Sequence, residues 1–265
     1  MKTVWITAFN KDRDAARVSA ASQLLARYGL AAQGHFWVDE SAKLAWRVGL
    51  DALDGARADL WLILADADDM AKSSVRYGLS LFAVCLREAR GADFPMVVSS
   101  PSGMDADILP AQLQSVMMLT ENSAAWPAKI VARAHFSAAN PATSGEARDY
   151  RFEVIGEEQI GQWFVIGPRA GEWNGIMFGV HGGDAKIDFQ AVGSRGALPE
   201  KTVLEYAQQG LTLQAGGREF SAWALRNRID ASASYYARVR GTPDAVLFMP
   251  YAENDAADAT MVQLV

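Results

Sequence analysis

The chain has 265 residues, of which 50% are hydrophobic and 21% are charged, and its formal net charge at pH 7 is −6. This composition is typical of a folded protein of one or two domains, and without an excess of basic residues we expect no nucleic-acid partner. The single cysteine, Cys85, excludes an intramolecular disulfide. No apolar run reaches the roughly 18 residues of a membrane-spanning helix, so we expect no membrane partner and a cytoplasmic location.

The first half of the chain alternates apolar runs of strand length with segments of helical period. TVWITAF is followed by DAARVSAASQLLARYG, AAQGHFWVD by SAKLAWRVGLDALDG, DLWLILAD by SSVRYGLSLFAVCLREARG, FPMVVSS by the short ADILPAQLQ, and SVMMLTE by SAAWPAKIVARAHF. Strands that are apolar on both faces and alternate with helices are typical of a covered parallel sheet. Residues 1–137 are therefore predicted to form a flavodoxin-like α/β domain with strand order 2-1-3-4-5 and helices on both faces.

The second half has a different pattern. Residues 138–148 are rich in small and polar side chains and are predicted to be a linker. Residues 149–265 contain short β-type runs separated by glycine-bearing turns, with one helix predicted over PEKTVLEYAQQ. We expect a mainly antiparallel β-rich domain with one helix.

The polar residues that follow the apolar strands define the candidate site. Open parallel sheets bind ligands outside the carboxyl ends of their strands, where the strand order reverses. Asp66 is expected to be more exposed than Leu62 or Ile63 and to face the same cleft as Asn10. The candidate ligand-binding residues are Asn10, Lys11, Asp39, Asp66, Asp68, Ser99 and Ser100.

An acidic strand end has three common uses: accepting a phosphoryl group, binding a metal ion or capping the next helix. A phosphoacceptor receiver domain needs an acidic pair after its first strand, but Asn10 and Lys11 stand there. Asp66 and Asp68 lack a third ligand for a metal ion, so no metal is expected. The simplest account is that Asp69 or Ser73 caps the next helix while the other acids are solvated.

Phosphate-binding loops are also not expected. The loop after the first strand contains no glycine, so its backbone cannot closely approach a pyrophosphate. We expect no nucleotide cofactor, and no other cofactor is indicated.

The first 100 residues nevertheless resemble a known fold family. The segments VWITAFNKDRDAARVSAASQLLARYGL, HFWVDE and DLWLILADADDMAKSSVRYGLSLFA resemble the Toll/interleukin-1 receptor (TIR) domain and, more loosely, nucleoside deoxyribosyltransferases. The resemblance implies cleavage of an N-glycosidic bond by a glutamate on the helix after the third strand. The aligned position is Gly78, or a neighbour among Arg76, Tyr77 and Leu79. No carboxylate occurs from Val75 to Arg87.

The missing glutamate decides between two functions. Without a carboxylate to meet the developing positive charge, glycosidic chemistry loses its main contributor. We therefore expect a non-catalytic binding or signalling protein that recognises a small molecule or protein partner at the strand ends. The alternative is an N-glycosidic-bond hydrolase or transferase acting on a nucleoside or NAD through a displaced carboxylate. Homo-oligomerisation is left open, the catalytic residues are unknown, and the C-terminal half resembles no family.

Overall fold

The chain forms two compact units. The structure, a computed structural model, describes residues 1–136, 148–251 and 258–265. The first unit is an α/β domain and the second is built from β-strands. All of the predicted linker except Arg148 lies outside the described residues. Of the helices that can be described, none is long and apolar enough to cross a membrane.

The first unit contains a five-stranded parallel sheet in the order β2-β1-β3-β4-β5, which confirms the predicted fold class. The three inner strands, β1, β3 and β4, are mostly buried, because helices cover both faces of the sheet and side chains alternate between them, whereas the outer strands β2 and β5 are largely half-buried or exposed. The strands are β1 Lys2–Ala8, β2 Leu30–Phe36, β3 Leu60–Leu64, β4 Met96–Ser100 and β5 Met117–Thr120.

The described residues of this unit contain five α-helices, of which four lie in the connections between strands and the fifth follows β5. They are α1 Lys11–Arg27, α2 Ala45–Gly55, α3 Ala67–Met70, α4 Ser73–Arg90 and α5 Trp126–Phe136. One face of the sheet packs against α1 and α5 in a core that includes Leu25, Leu62 and Ile130. The other face meets α4, where the rings of Trp61 and Phe82 stack with centroids 4.1 Å apart. The helix predicted over ADILPAQLQ forms only two 3₁₀ turns, Ala106–Ile108 and Ala111–Leu113.

The second unit contains antiparallel sheets of four and five strands, in the orders β10-β14-β7-β6 and β11-β12-β9-β15-β16, and a two-stranded ribbon, β13-β8. Aromatic side chains pack between the two larger sheets. Phe164 of the four-stranded sheet contacts Phe178 of the five-stranded sheet, and Phe152 likewise contacts Phe248. The strands are β6 Tyr150–Glu157, β7 Gly161–Pro168, β8 Glu172–Trp173, β9 Ile176–His181, β10 Lys186–Ser194, β11 Gln208–Ala215, β12 Arg218–Leu225, β13 Ile229–Asp230, β14 Ala233–Arg240, β15 Ala245–Pro250 and β16 Thr260–Gln263.

The prediction of a helix over PEKTVLEYAQQ is wrong. Residues 199–207 are irregular, and the last two residues of this stretch, Gln208 and Gln209, begin β11. Hydrogen bonds to other parts of the unit replace the helical ones. The Thr202 hydroxyl accepts from the Val192 N–H and donates to its carbonyl, and the Asn227 amide bonds the Glu205 N–H and the Val203 carbonyl. The Asn227 contacts satisfy two backbone groups of the segment without a helix, and the Thr202 contacts tie the segment to β10.

Candidate functional site

The candidate site lies where β1 leads into α1. The Asn10 side chain accepts a hydrogen bond from the Arg13 N–H at 3.0 Å and so caps the helix. Asp14 is buried, and its Oδ2 accepts the N–H groups of Phe9 and Asn10. The first turn of α1 is therefore fixed at the carboxyl end of the sheet. It carries Arg13, and one turn later Arg17, toward the ends of the neighbouring strands.

Arg13 links α1 to the loop after β3. Its Nε donates to Asp14 Oδ1 at 2.8 Å, and its Nη2 donates to Asp69 Oδ2 at 2.8 Å. Its Nη1 lies 3.5 Å from Asp66 Oδ2. Asp69 Oδ2 also accepts the Asp66 N–H at 2.9 Å and thus caps the short helix α3. The expectation that Asp69 or Ser73 caps the helix now seen as α4 is wrong: Asp69 completes the capping box of the separate short helix α3, whereas α4 begins without a side-chain cap. Arg13 gives the Asp69 carboxylate an ionic partner.

Arg17 reaches further across the sheet. Its Nε donates to both carboxylate oxygens of Glu121, at 3.0 and 2.9 Å, in the loop after β5. Its Nη2 donates to the main-chain oxygens of Ala65 and Ser99, at 3.3 and 3.1 Å, and its Nη1 lies 3.4 Å from Asp66 Oδ1. One side chain from α1 therefore connects the ends of β3, β4 and β5.

These side chains form a strand-end network of six residues: Arg13, Asp14, Arg17, Asp66, Asp69 and Glu121. Two guanidinium groups face four carboxylates, so the network carries a net charge of −2. Burial opposes ionisation of Asp14, but hydrogen bonds from Arg13 and from the Asn10 N–H outweigh it and hold the pKa of that carboxyl below its ordinary value. The bond to Asp14, aided by Asp69, raises the pKa of Arg13 above its ordinary value. The charged groups stabilise one another.

Three of the predicted site residues lie in or beside this network. Asp66 is part of it, Asn10 begins the helix that supplies both arginines, and Lys11 is the exposed first residue of that helix. The Asp66 side chain is 33% exposed, whereas Leu62 and Ile63 are fully buried. The expectation that Asp66 is the more exposed residue is confirmed. Asp66 and Asn10 lie at the same end of the sheet, and that they face one cleft stays a prediction.

The side chains of the other predicted site residues are not part of the network, although the Ser99 main-chain oxygen accepts a hydrogen bond from Arg17. Asp68 is exposed, and Asp39 accepts a hydrogen bond from the Ser74 hydroxyl at 3.0 Å. Ser99 is fully buried, and its hydroxyl accepts the Trp126 indole N–H at 2.7 Å. Ser100 is 4% exposed and lines a small cavity of about 70 Å³ between the ends of β4 and β5. Ser99 is therefore an internal packing residue.

Sequence reasoning missed the two arginines and Glu121. A signal was present, because Arg13 and Arg17 are four residues apart on a helix that begins at a strand end and so share one face. Glu121 directly follows β5. Their pairing depends on how far α1 reaches over the neighbouring strands, which the local sequence does not state.

The position where the resemblance would require a glutamate has no room for a side chain. A Cβ atom on Gly78 would lie 2.6 Å from Trp37 Cζ2 and 3.6 Å from Trp46 Cβ. Contacts below 3.0 Å force a neighbour to move, and here the neighbour is the ring of a buried tryptophan. Trp37 therefore occupies the space that a carboxylate on this turn of α4 would enter.

His35 lies beside this tryptophan but is held in its neutral form. Its Nδ1 accepts the Trp5 indole N–H at 2.9 Å, and its ring lies among those of Trp37 and Phe82. Burial lowers the pKa of His35 to about 4. At neutral pH the ring is uncharged, with its remaining proton on Nε2.

A larger cleft, of about 230 Å³, lies away from the strand-end network, between α1 and β2. Its walls include Ile6, Val18, Ser22 and Phe36. The described residues contain no group of three or more His, Cys, Asp or Glu side chains arranged to hold a metal ion.

The sequence was also compared with known proteins. No protein-family model matches it, and no curated protein matches it at a significant level. Its function has to be inferred from the residues described above.

Proposed function

We propose that the protein is a cytoplasmic, non-catalytic binding protein whose α/β domain, TIR-like in organisation, recognises a partner at the carboxyl ends of its strands. The observation that carries the proposal is the strand-end network. Its four carboxylates are engaged by Arg13 and Arg17 and are not free to act as a base or a nucleophile. Most glycosidic enzymes use a pair of convergent carboxyl groups with distinct protonation roles.

The charge of this edge favours a cationic partner, whether a small molecule or a basic protein surface. Besides the network, the stretches of chain that follow the strands expose three lysines and six carboxylates. The lysines are Lys11, Lys43 and Lys72, and the carboxylates belong to Asp12, Asp39, Glu40, Asp68, Asp105 and Asp107. A negative edge attracts cations and repels the phosphates of nucleotides and NAD. This electrostatic preference disfavours the alternative of an NAD hydrolase.

Thermal unfolding in the presence of charged probes tests the proposal. A ligand that binds only the folded state raises the unfolding midpoint. At low ionic strength, spermine or a short oligolysine peptide should raise the midpoint, and ATP and NAD should leave it unchanged. The shift should shrink as salt is added.

Matched charge removals locate the binding edge. The double variant Asp39→Asn, Asp68→Asn removes two exposed carboxylates at the strand ends. Asp93→Asn removes an equally exposed carboxylate that precedes β4, at the opposite end of the strands. The probe-induced shift should fall in the double variant and persist in the control. An equal shift in all three proteins, or a shift with NAD and none with the cations, would contradict the proposal.

A further inference from the structure

An outer strand of the α/β sheet, β2, has one open side, since no other strand among the described residues pairs with it there. β2 is terminal in the strand order and pairs with β1 in continuous register from Leu30 to Phe36. The Trp37 N–H donates to the Ala8 carbonyl at 2.7 Å. Because successive N–H groups of a strand point to opposite sides, those of Ala32, Gly34 and Phe36 point away from the sheet.

The segment around this strand is almost free of charge. Residues 18–38 include one formally charged side chain, Arg27, in a chain with 21% charged residues. Exposed edge strands are usually protected from pairing by lysine, proline or a bulge, and β2 has none of these. Depletion of charge is also what distinguishes the core of a protein interface from ordinary surface.

A cleft of about 230 Å³ runs beside this open strand on the side covered by α1. Small residues open it, namely Ser22, Ala32 and Gly34. Gly34 has no space for a side chain, because a Cβ would lie 2.0 Å from the Ile6 carbonyl oxygen. The strand therefore presents backbone hydrogen-bonding groups next to an unfilled, mostly apolar groove.

We infer that a second copy of the chain pairs with β2, in antiparallel orientation about a two-fold axis at Gln33, and joins two sheets into one of ten strands. This register places Leu30 opposite Phe36 of the partner subunit and Ala32 opposite Gly34 of the partner subunit. The pair of small residues exchanges backbone hydrogen bonds, and large residues meet at both ends. The two exposed Gln33 side chains face each other in the closely spaced type of pair, with Cα atoms about 4.5 Å apart.

The second copy fits this edge because the edge is complementary to itself. No like charges meet in the strand pair, and a two-fold axis brings the α1 helices of both copies together over the clefts. Ser22 lines the cleft, and Ser19 and Ala26, one turn away on either side, are exposed on α1. Side chains this small allow two helices to approach closely.

Introducing a charge at Gln33 tests the inference in the full chain. Sedimentation over a concentration series should show a dimer for the unaltered protein. Gln33→Lys and Gln33→Glu each place like charges opposite each other and should weaken dimerisation by roughly tenfold or more. An equimolar mixture of the two variants should dimerise again, because opposite charges then meet.

Gln208→Lys is the matched control. Gln208 is exposed on β11 in the other unit, so this variant should dimerise like the unaltered protein. Circular dichroism checks that every variant is folded. A chain that stays monomeric at the highest concentration would overturn the inference. Unimpaired dimers of both Gln33 variants, or a mixture that fails to recover, would overturn it as well.

Discussion

Replacing Arg17 with methionine should destabilise the α/β domain by about 2–3 kcal/mol. The Arg17 side chain is 14% exposed and binds Glu121, whose side chain is 19% exposed, with further contacts to Asp66 and two main-chain oxygens. Breaking a buried ion pair costs about 3–5 kcal/mol, because one charge is left without its partner. A hydrogen bond to a charged group contributes about 1.5–3 kcal/mol. Since both side chains retain some contact with water, the expected loss is near the lower end of these ranges.

Urea unfolding followed at 222 nm measures this loss, because the helices among the described residues all lie in the α/β unit. The control is Arg47→Met, which removes an exposed pair with Asp51 on α2 and should cost no more than about 0.5 kcal/mol. If the strand-end network were instead a strained active site, removing one of its charges could raise the free energy of unfolding. If Arg17→Met left the free energy of unfolding unchanged or increased it, the strand-end network would not be a structural clamp and the reasoning above would be wrong.

Two further predictions concern the buried aromatic side of the domain. Because burial holds the pKa of His35 at about 4, protonation favours the unfolded chain below its ordinary pKa of 6.5, so stability should fall by about 2 kcal/mol from pH 7.5 to pH 5. Urea unfolding at both pH values checks this, and an equal fall in His35→Gln would contradict it. Gly78→Ala should lower stability by about 1–3 kcal/mol despite the better helix propensity of alanine, because the new methyl group meets Trp37. A higher thermal unfolding midpoint for this variant would show that the site has room.

The order of the parallel sheet could be predicted because its strands are apolar on both faces and alternate with helices. That the end of β3 meets the end of β1 follows from the same order, so Asp66 and Asn10 could be placed at one edge. The partners of Asp66 could not be predicted, because Arg17 lies 49 residues away in the sequence. The pairing of Arg17 with Glu121 spans 104 residues and was equally out of reach. Helical propensity over residues 199–209 was misleading, since side chains distant in sequence, such as Asn227, supply the hydrogen bonds there.

The central claim, that the strand ends bind without catalysing, is tested most directly by incubating the purified protein with NAD and with ribo- and deoxyribonucleosides and separating the products by chromatography. Positioned acid–base catalysis contributes about 10²–10⁴-fold to rate, and the carboxylates of the strand-end network are engaged by Arg13 and Arg17. We predict no release of nicotinamide or free base above the protein-free control. Release by the unaltered protein that disappears in Asp66→Ala or Asp68→Ala would contradict the account and place an active site at the end of β3.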